Sequence, residues 1–155
     1  MMNNAAVILL VAKQWRKQGF ERLCETMQTA NASVTFPGTS RVSMLNAQGT
    51  QVWTDRSELK HRIESGVESS FQFWLNEECD IYCRVIAIGS CIAIEVALDG
   101  LTDREKRRVV VAMSEEILGL SEEGVALALI FDVVGERSVE EWAAMVQFRS
   151  GGGMG

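Results

Sequence analysis

The chain has 155 residues, 47% of them hydrophobic and 23% charged, a balance that excludes disordered and fibrous classes and suits a soluble globular protein. A chain of this length buries roughly 70% of the surface its unfolded form exposes, so one core is expected and a second independent one is not. The net charge of −6 is uneven, with seven Lys and Arg against four acids in residues 1–60 and eight against seventeen in residues 61–155; this acidic field argues against nucleic acid as a partner.

Near the N-terminus, the longest apolar run is AAVILLVA, residues 5–12. It falls short of the ~20 residues a membrane helix needs and lacks the basic start and cleavage pattern of a signal peptide. A cytoplasmic protein without membrane contact is expected. The four cysteines, Cys24, Cys79, Cys83 and Cys91, are then expected as free thiols. The run itself is apolar without interruption, which predicts a strand buried on both faces in the middle of a sheet.

In GFERLCETMQ, Phe20, Leu23, Cys24 and Met27 recur at i, i+3, i+4 and i+7, the single apolar stripe of an amphipathic helix. Residues 31–37 end it, and Pro37-Gly38 marks a turn. Two short strands are expected at residues 41–45 and 50–53, joined through Ala47-Gln48-Gly49. A short helix at 57–64, with Leu59 and Ile63 on one face, carries the lone histidine, His61. Flanked by Lys60 and Arg62, it is read as a surface residue.

The stretch FQFWLNEECDIYCRV, residues 71–85, looks most like chemistry. Phe71, Phe73 and Leu75 alternate with Gln72, Trp74 and Asn76, and Ile81, Cys83 and Val85 alternate with Tyr82, Arg84 and Ile86. This period of two predicts antiparallel strands joined by the Asn76-Glu77-Glu78-Cys79-Asp80 turn. CIAIEVAL, residues 91–98, extends them into a three-strand meander.

Thr102 with Glu105, and Ser138 with Glu141, have the spacing of capping boxes at helix starts. The first helix would bury Val109, Val110, Met113 and Ile117, and the second Trp142, Met145 and Val146. On the first helix Arg104, Lys106, Arg107 and Arg108 lie beside Asp103 and Glu105, as on a solvated face. Between the helices GVALALIFDVV reads as another continuously apolar strand, also expected to be central. RSGGGMG, at the end, has no hydrophobic stripe. The organisation expected is a single α+β domain over residues 1–148, mainly antiparallel around the meander, and a flexible Gly-rich tail over 149–155.

Catalytic and metal signatures fail on residue chemistry. Cys79 and Cys83 have half-site spacing for zinc, but nothing completes the ligand set, and Cys79 in the turn is expected to point away from inward-facing Cys83. The acidic turn also raises a thiol's pKa, which opposes nucleophilic activation. No phosphate-binding glycine loop or catalytic triad pattern is present. No cofactor, metal or catalytic residue is therefore assigned. Glu77, Glu78 and Asp80 are instead read as a charged docking rim, beside Trp74 and Tyr82, which neighbour each other across the hairpin and are either core rings under covering helices or aromatic anchors for a partner.

In size, acidity, lack of export signal and catalytic motif, and the acid-rich NEECD turn, the chain resembles the small acidic cytoplasmic immunity proteins of bacterial toxin systems. That family has no common motif, so no residue is carried over. The resemblance implies a non-catalytic protein that binds a basic toxin domain through an acidic surface. An acidic type III-like secretion chaperone is the alternative, and an enzyme with a site built from scattered carboxylates the second alternative.

Overall fold

The structure is a computed structural model that describes residues 5–153, with side chains described through residue 147. The elements run β1 (Ala6–Ala12), a 3₁₀ turn (Lys13–Lys17), α1 (Gly19–Thr29), β2 (Arg41–Leu45), β3 (Gln51–Asp55), α2 (Arg56–Glu64), β4 (Ser69–Asn76), β5 (Cys79–Ile88), β6 (Cys91–Ala97), α3 (Asp103–Glu122), β7 (Ala126–Asp132) and α4 (Val139–Gly153). The strands form one seven-stranded antiparallel sheet in the order β3-β2-β4-β5-β6-β1-β7. This is the expected α+β class with the meander β4-β5-β6 at its centre.

Side-chain alternation divides the sheet into two unlike faces. On the first, Val7, Leu9, Val11, Phe71, Phe73, Ile81, Cys83, Val85, Ile92, Ile94 and Val96 form the main core with α1, α2 and α3. The stripe predicted for α1 supplies Phe20, Leu23, Cys24 and Met27 to it. On the second face Ala6, Ile8, Leu10, Cys91 and Ala93 meet Val139 and Ala143 of α4 in a smaller cluster. β1 is thus buried on both faces, as its unbroken apolar run requires, and lies between β6 and β7.

β7 corrects the expectation of a second central strand. It is the sheet edge, paired with β1 alone. Its apolar run is only partly covered: Leu129 packs on the main core and Ala128 and Ile130 on the α4 side, while Leu127 and Phe131 are exposed. An uninterrupted hydrophobic pattern therefore does not by itself place a strand in the middle of a sheet.

Helix starts follow the sequence chemistry. The Thr102 hydroxyl accepts from the Glu105 amide at 3.2 Å while the Glu105 carboxylate accepts from the Thr102 amide at 2.8 Å. Ser138 and Glu141 repeat the exchange at 3.1 and 3.3 Å. α2 begins one residue earlier than expected because Asp55 accepts from the Glu58 amide at 2.8 Å. At the other end, α4 continues to Gly153, into the stretch expected as a flexible tail; Met154 and Gly155 lie outside the described residues.

Between β2 and β4 the sheet is opened by a wedge. The two strands pair only at Met44↔Phe71 and Leu45↔Ser70. Beyond that point Ser33 bridges to Trp74 and Thr35 to Val42, so the segment after α1 fills the gap and delivers Phe36 to the second face.

Candidate docking face

Helix α4 covers only part of the second face. Its apolar contacts reach β6, β1, β7 and the end of β5 at Ile86 and Ile88, and its border is marked by Arg84, 3.0 Å from Glu140. Among the described residues, β2, β3, β4 and the first half of β5 have no helix over this face. The surface left open carries an aromatic corner and a row of linked polar side chains.

Phe36, Trp53 and Trp74 make the corner. Phe36 stands edge-on to Trp74 at 4.8 Å and to Trp53 at 5.6 Å between centroids, geometries the aromatic quadrupoles favour. Trp74 is only 8% exposed, and its indole N–H is buried without a hydrogen-bond partner; Trp53 is 39% exposed and forms the outer wall. Trp74 is therefore the floor of the corner; of the two readings its sequence left open, core ring and exposed anchor, its burial fits the first.

The polar row crosses four strands. Gln51 on β3 donates to Ser43 on β2 at 2.6 Å, Ser43 donates to Gln72 on β4, and Gln72 donates to Asp80 on β5 at 2.5 Å. Nearer the hairpin base Ser70 and Tyr82 share a hydrogen bond of 3.1 Å, and burial pushes the Tyr82 phenol up despite that bond. Arg84 is held by Glu68 at 2.7 Å and Glu140 at 3.0 Å. Beside it on β6 lies half-buried Glu95; burial raises its pKa and outweighs the opposing charge of Arg84. Side chains tied to one another in this way are preorganised, so a partner meets a fixed pattern of donors and acceptors.

The residues singled out in the sequence fall into separate roles. Glu77 and Glu78 are exposed at the tip of the β4-β5 hairpin, where Asn76 accepts from the Glu78 amide at 2.8 Å. Asp80 belongs to β5, directly opposite Trp74, and is tethered by Gln72; Tyr82 stands opposite Gln72. The expected Trp74 and Tyr82 cross-strand pair is thus replaced by Trp74 with Asp80, since the irregularity between Trp74 and Asn76 displaces the simple hairpin register. Sequence reasoning missed Phe36 and Trp53. Their union with Trp74 depends on the wedge and on the β3-β2-β4 order, and only the alternation of Trp53 with Val52 hinted at its face.

The cysteines stand apart from this surface. Burial raises the Cys24 thiol to about 11 and pushes Cys79, Cys83 and Cys91 up as well. Cys79 does not point away from Cys83, as its expected place in the turn implied. It opens β5 and packs on the same core, but four residues along a strand separate the two by ~13 Å. Among the described residues no group of three or more His, Cys, Asp or Glu side chains could hold a metal ion. His61 is exposed on α2. No helix among the described residues is long and apolar enough to cross a membrane.

No known protein family, no curated protein and no solved structure matches this chain.

Proposed function

We propose that the chain is a non-catalytic binding protein, an immunity protein that neutralises a basic toxin domain by occupying its surface in the cytoplasm. The contact is made by the open face of β2 to β5. The observation that carries this reading is the aromatic corner: half-exposed Trp53 stands beside a prearranged polar row and an acidic hairpin tip. Tryptophan and tyrosine dominate the energetics of protein interfaces when desolvated beside fixed polar groups. Glu77 and Glu78, with the −6 charge of the whole chain, steer a basic domain toward that face and suppress acidic partners. Trp53 then contributes the buried contact that sets the dissociation rate.

The test is co-expression in a bacterial host with the C-terminal domain encoded by the reading frame immediately upstream of this one in its source genome. The reading predicts that the domain alone arrests growth and that this chain restores it through a stable complex. Continued arrest, with no complex between the purified proteins, would contradict it.

A further inference from the structure

We propose that two copies of the chain associate through the outer face of α3, the two helices lying antiparallel about a two-fold axis level with residue 113. The inference is independent of the docking face, because α3 packs through Val109, Ala112, Met113 and Leu120 on the main core, on the other side of the sheet.

Helical spacing places Arg104, Arg107, Arg108, Val111, Glu115, Leu118 and Glu122 on one stripe of α3 about 100° wide, and all seven are exposed. Two of them are large apolar side chains, Val111 at 50% and Leu118 at 67% exposure. The charges are sorted along the helix, with the arginines in its first half and the glutamates in its second. None of these five charged side chains has an ion-pair partner among the described residues, whereas Glu116 and Glu123, off the stripe, are held by Arg22. In a single chain this order is unfavourable. Arg104, Arg107 and Arg108 stand at i, i+3 and i+4, where like charges repel. The helix dipole favours anions at the N-terminus and cations at the C-terminus. Asp103 and Glu105 follow that rule, but the last turn holds no basic residue and ends on Glu122.

A second copy of the same helix, run antiparallel, relieves both conflicts. Residue 113 is midway between Arg104 and Glu122, so a two-fold at its level sets Arg104 of each copy level with Glu122 of the other. It also brings Arg108 within one turn of Glu115, and Leu118 within one turn of Val111 and the aliphatic stem of Arg107. The two helix dipoles then oppose each other. One patch supplies both halves of the contact, as an isologous interface requires. A basic domain of the kind proposed for the docking face would meet three arginines on this stripe, and an acidic one would meet its glutamates. The fit needs both signs in reverse order, which the chain itself provides.

The experiment is sedimentation equilibrium of the full chain over micromolar concentrations at low salt. It compares the parental protein with an acidic variant, Arg104→Glu, Arg107→Glu, Arg108→Glu, and a basic variant, Glu115→Arg, Glu122→Arg. The proposal predicts a particle of twice the chain mass for the parent and of single mass for each variant alone, where the stripe carries one sign throughout. Circular dichroism should be unchanged, because all five side chains are exposed. An equimolar mixture of the two variants should return to twice the chain mass, since each stripe then faces its opposite. A parental chain that stays single-mass across this range overturns the proposal and leaves the stripe a solvated face. So does a dimer that persists in either variant alone, or a mixture that stays single-mass.

Discussion

The indole of Trp53 stacks on that of Trp74, with centroids 6.4 Å apart and planes 15° from parallel. One ring is buried and the other half exposed, so the two have different jobs. Trp74→Ala opens a cavity beneath Phe36 and Trp53 and should destabilise the fold by ~3 kcal/mol or more. Trp53→Ala removes the outer ring alone and should cost ~1 kcal/mol, the scale of an aromatic pair. Urea denaturation of the two variants checks the difference; equal midpoints would mean that the corner is not layered in this way.

Thr102 and Ser138 each exchange two hydrogen bonds with the residue three positions on. Thr102→Ala and Ser138→Ala should each lower stability by ~1 kcal/mol through loss of the cap. Denaturation midpoints unchanged in both variants would remove this account of the helix starts.

Two carboxylates give opposite dependences on pH. For Asp132, burial acts to raise the pKa, but hydrogen bonds from the Trp142 indole and the amides of Glu136, Arg137 and Gly135 outweigh it and hold the group below its ordinary 3.8. Its stabilisation is present above 3.8 and is lost as pH falls through the lower folded value. Burial raises Glu95 above its ordinary 4.5, so its neutral form suits the fold, and that contribution is lost as pH rises through the folded value. Asp132→Asn should therefore lower the melting temperature at pH 7, and Glu95→Gln should raise it. Both differences should shrink toward acid pH in a thermal melt series. Differences that stay constant down to acid pH would break the assignment.

The helices, the meander and both capping boxes were legible because each rests on local chemistry: a stripe at helical spacing, a period of two, or a hydroxyl three residues before a glutamate. The position of β7 was not legible, since an edge strand and a central strand can carry the same apolar run. Within the candidate site, Glu77 and Glu78 were readable as an exposed turn. Asp80 was not, because its restraint by Gln72 depends on strand register. The aromatic corner was hidden for a stronger reason: Phe36, Trp53 and Trp74 come from a loop and two strands, and only the wedge of residues 33–35 between β2 and β4 brings them together.

The hairpin tip isolates the electrostatic part of binding. Glu77→Gln with Glu78→Gln should leave stability nearly unchanged, because exposed turn carboxylates contribute little. Association with the proposed basic partner should slow several-fold and lose part of its salt dependence. Stopped-flow mixing at low and high salt reads both; parental association rates at low salt would remove the tip from the interface.

The most direct test of the proposed docking face is the dissociation rate of the complex that this reading expects with the upstream-encoded domain, measured for the parental chain and for Trp53→Ala. The account predicts dissociation roughly tenfold faster or more, equivalent to about 1.4 kcal/mol or above, with little change in association. Parental dissociation by Trp53→Ala would contradict it and place the contact elsewhere, as on the outer side of α3 around exposed Glu115.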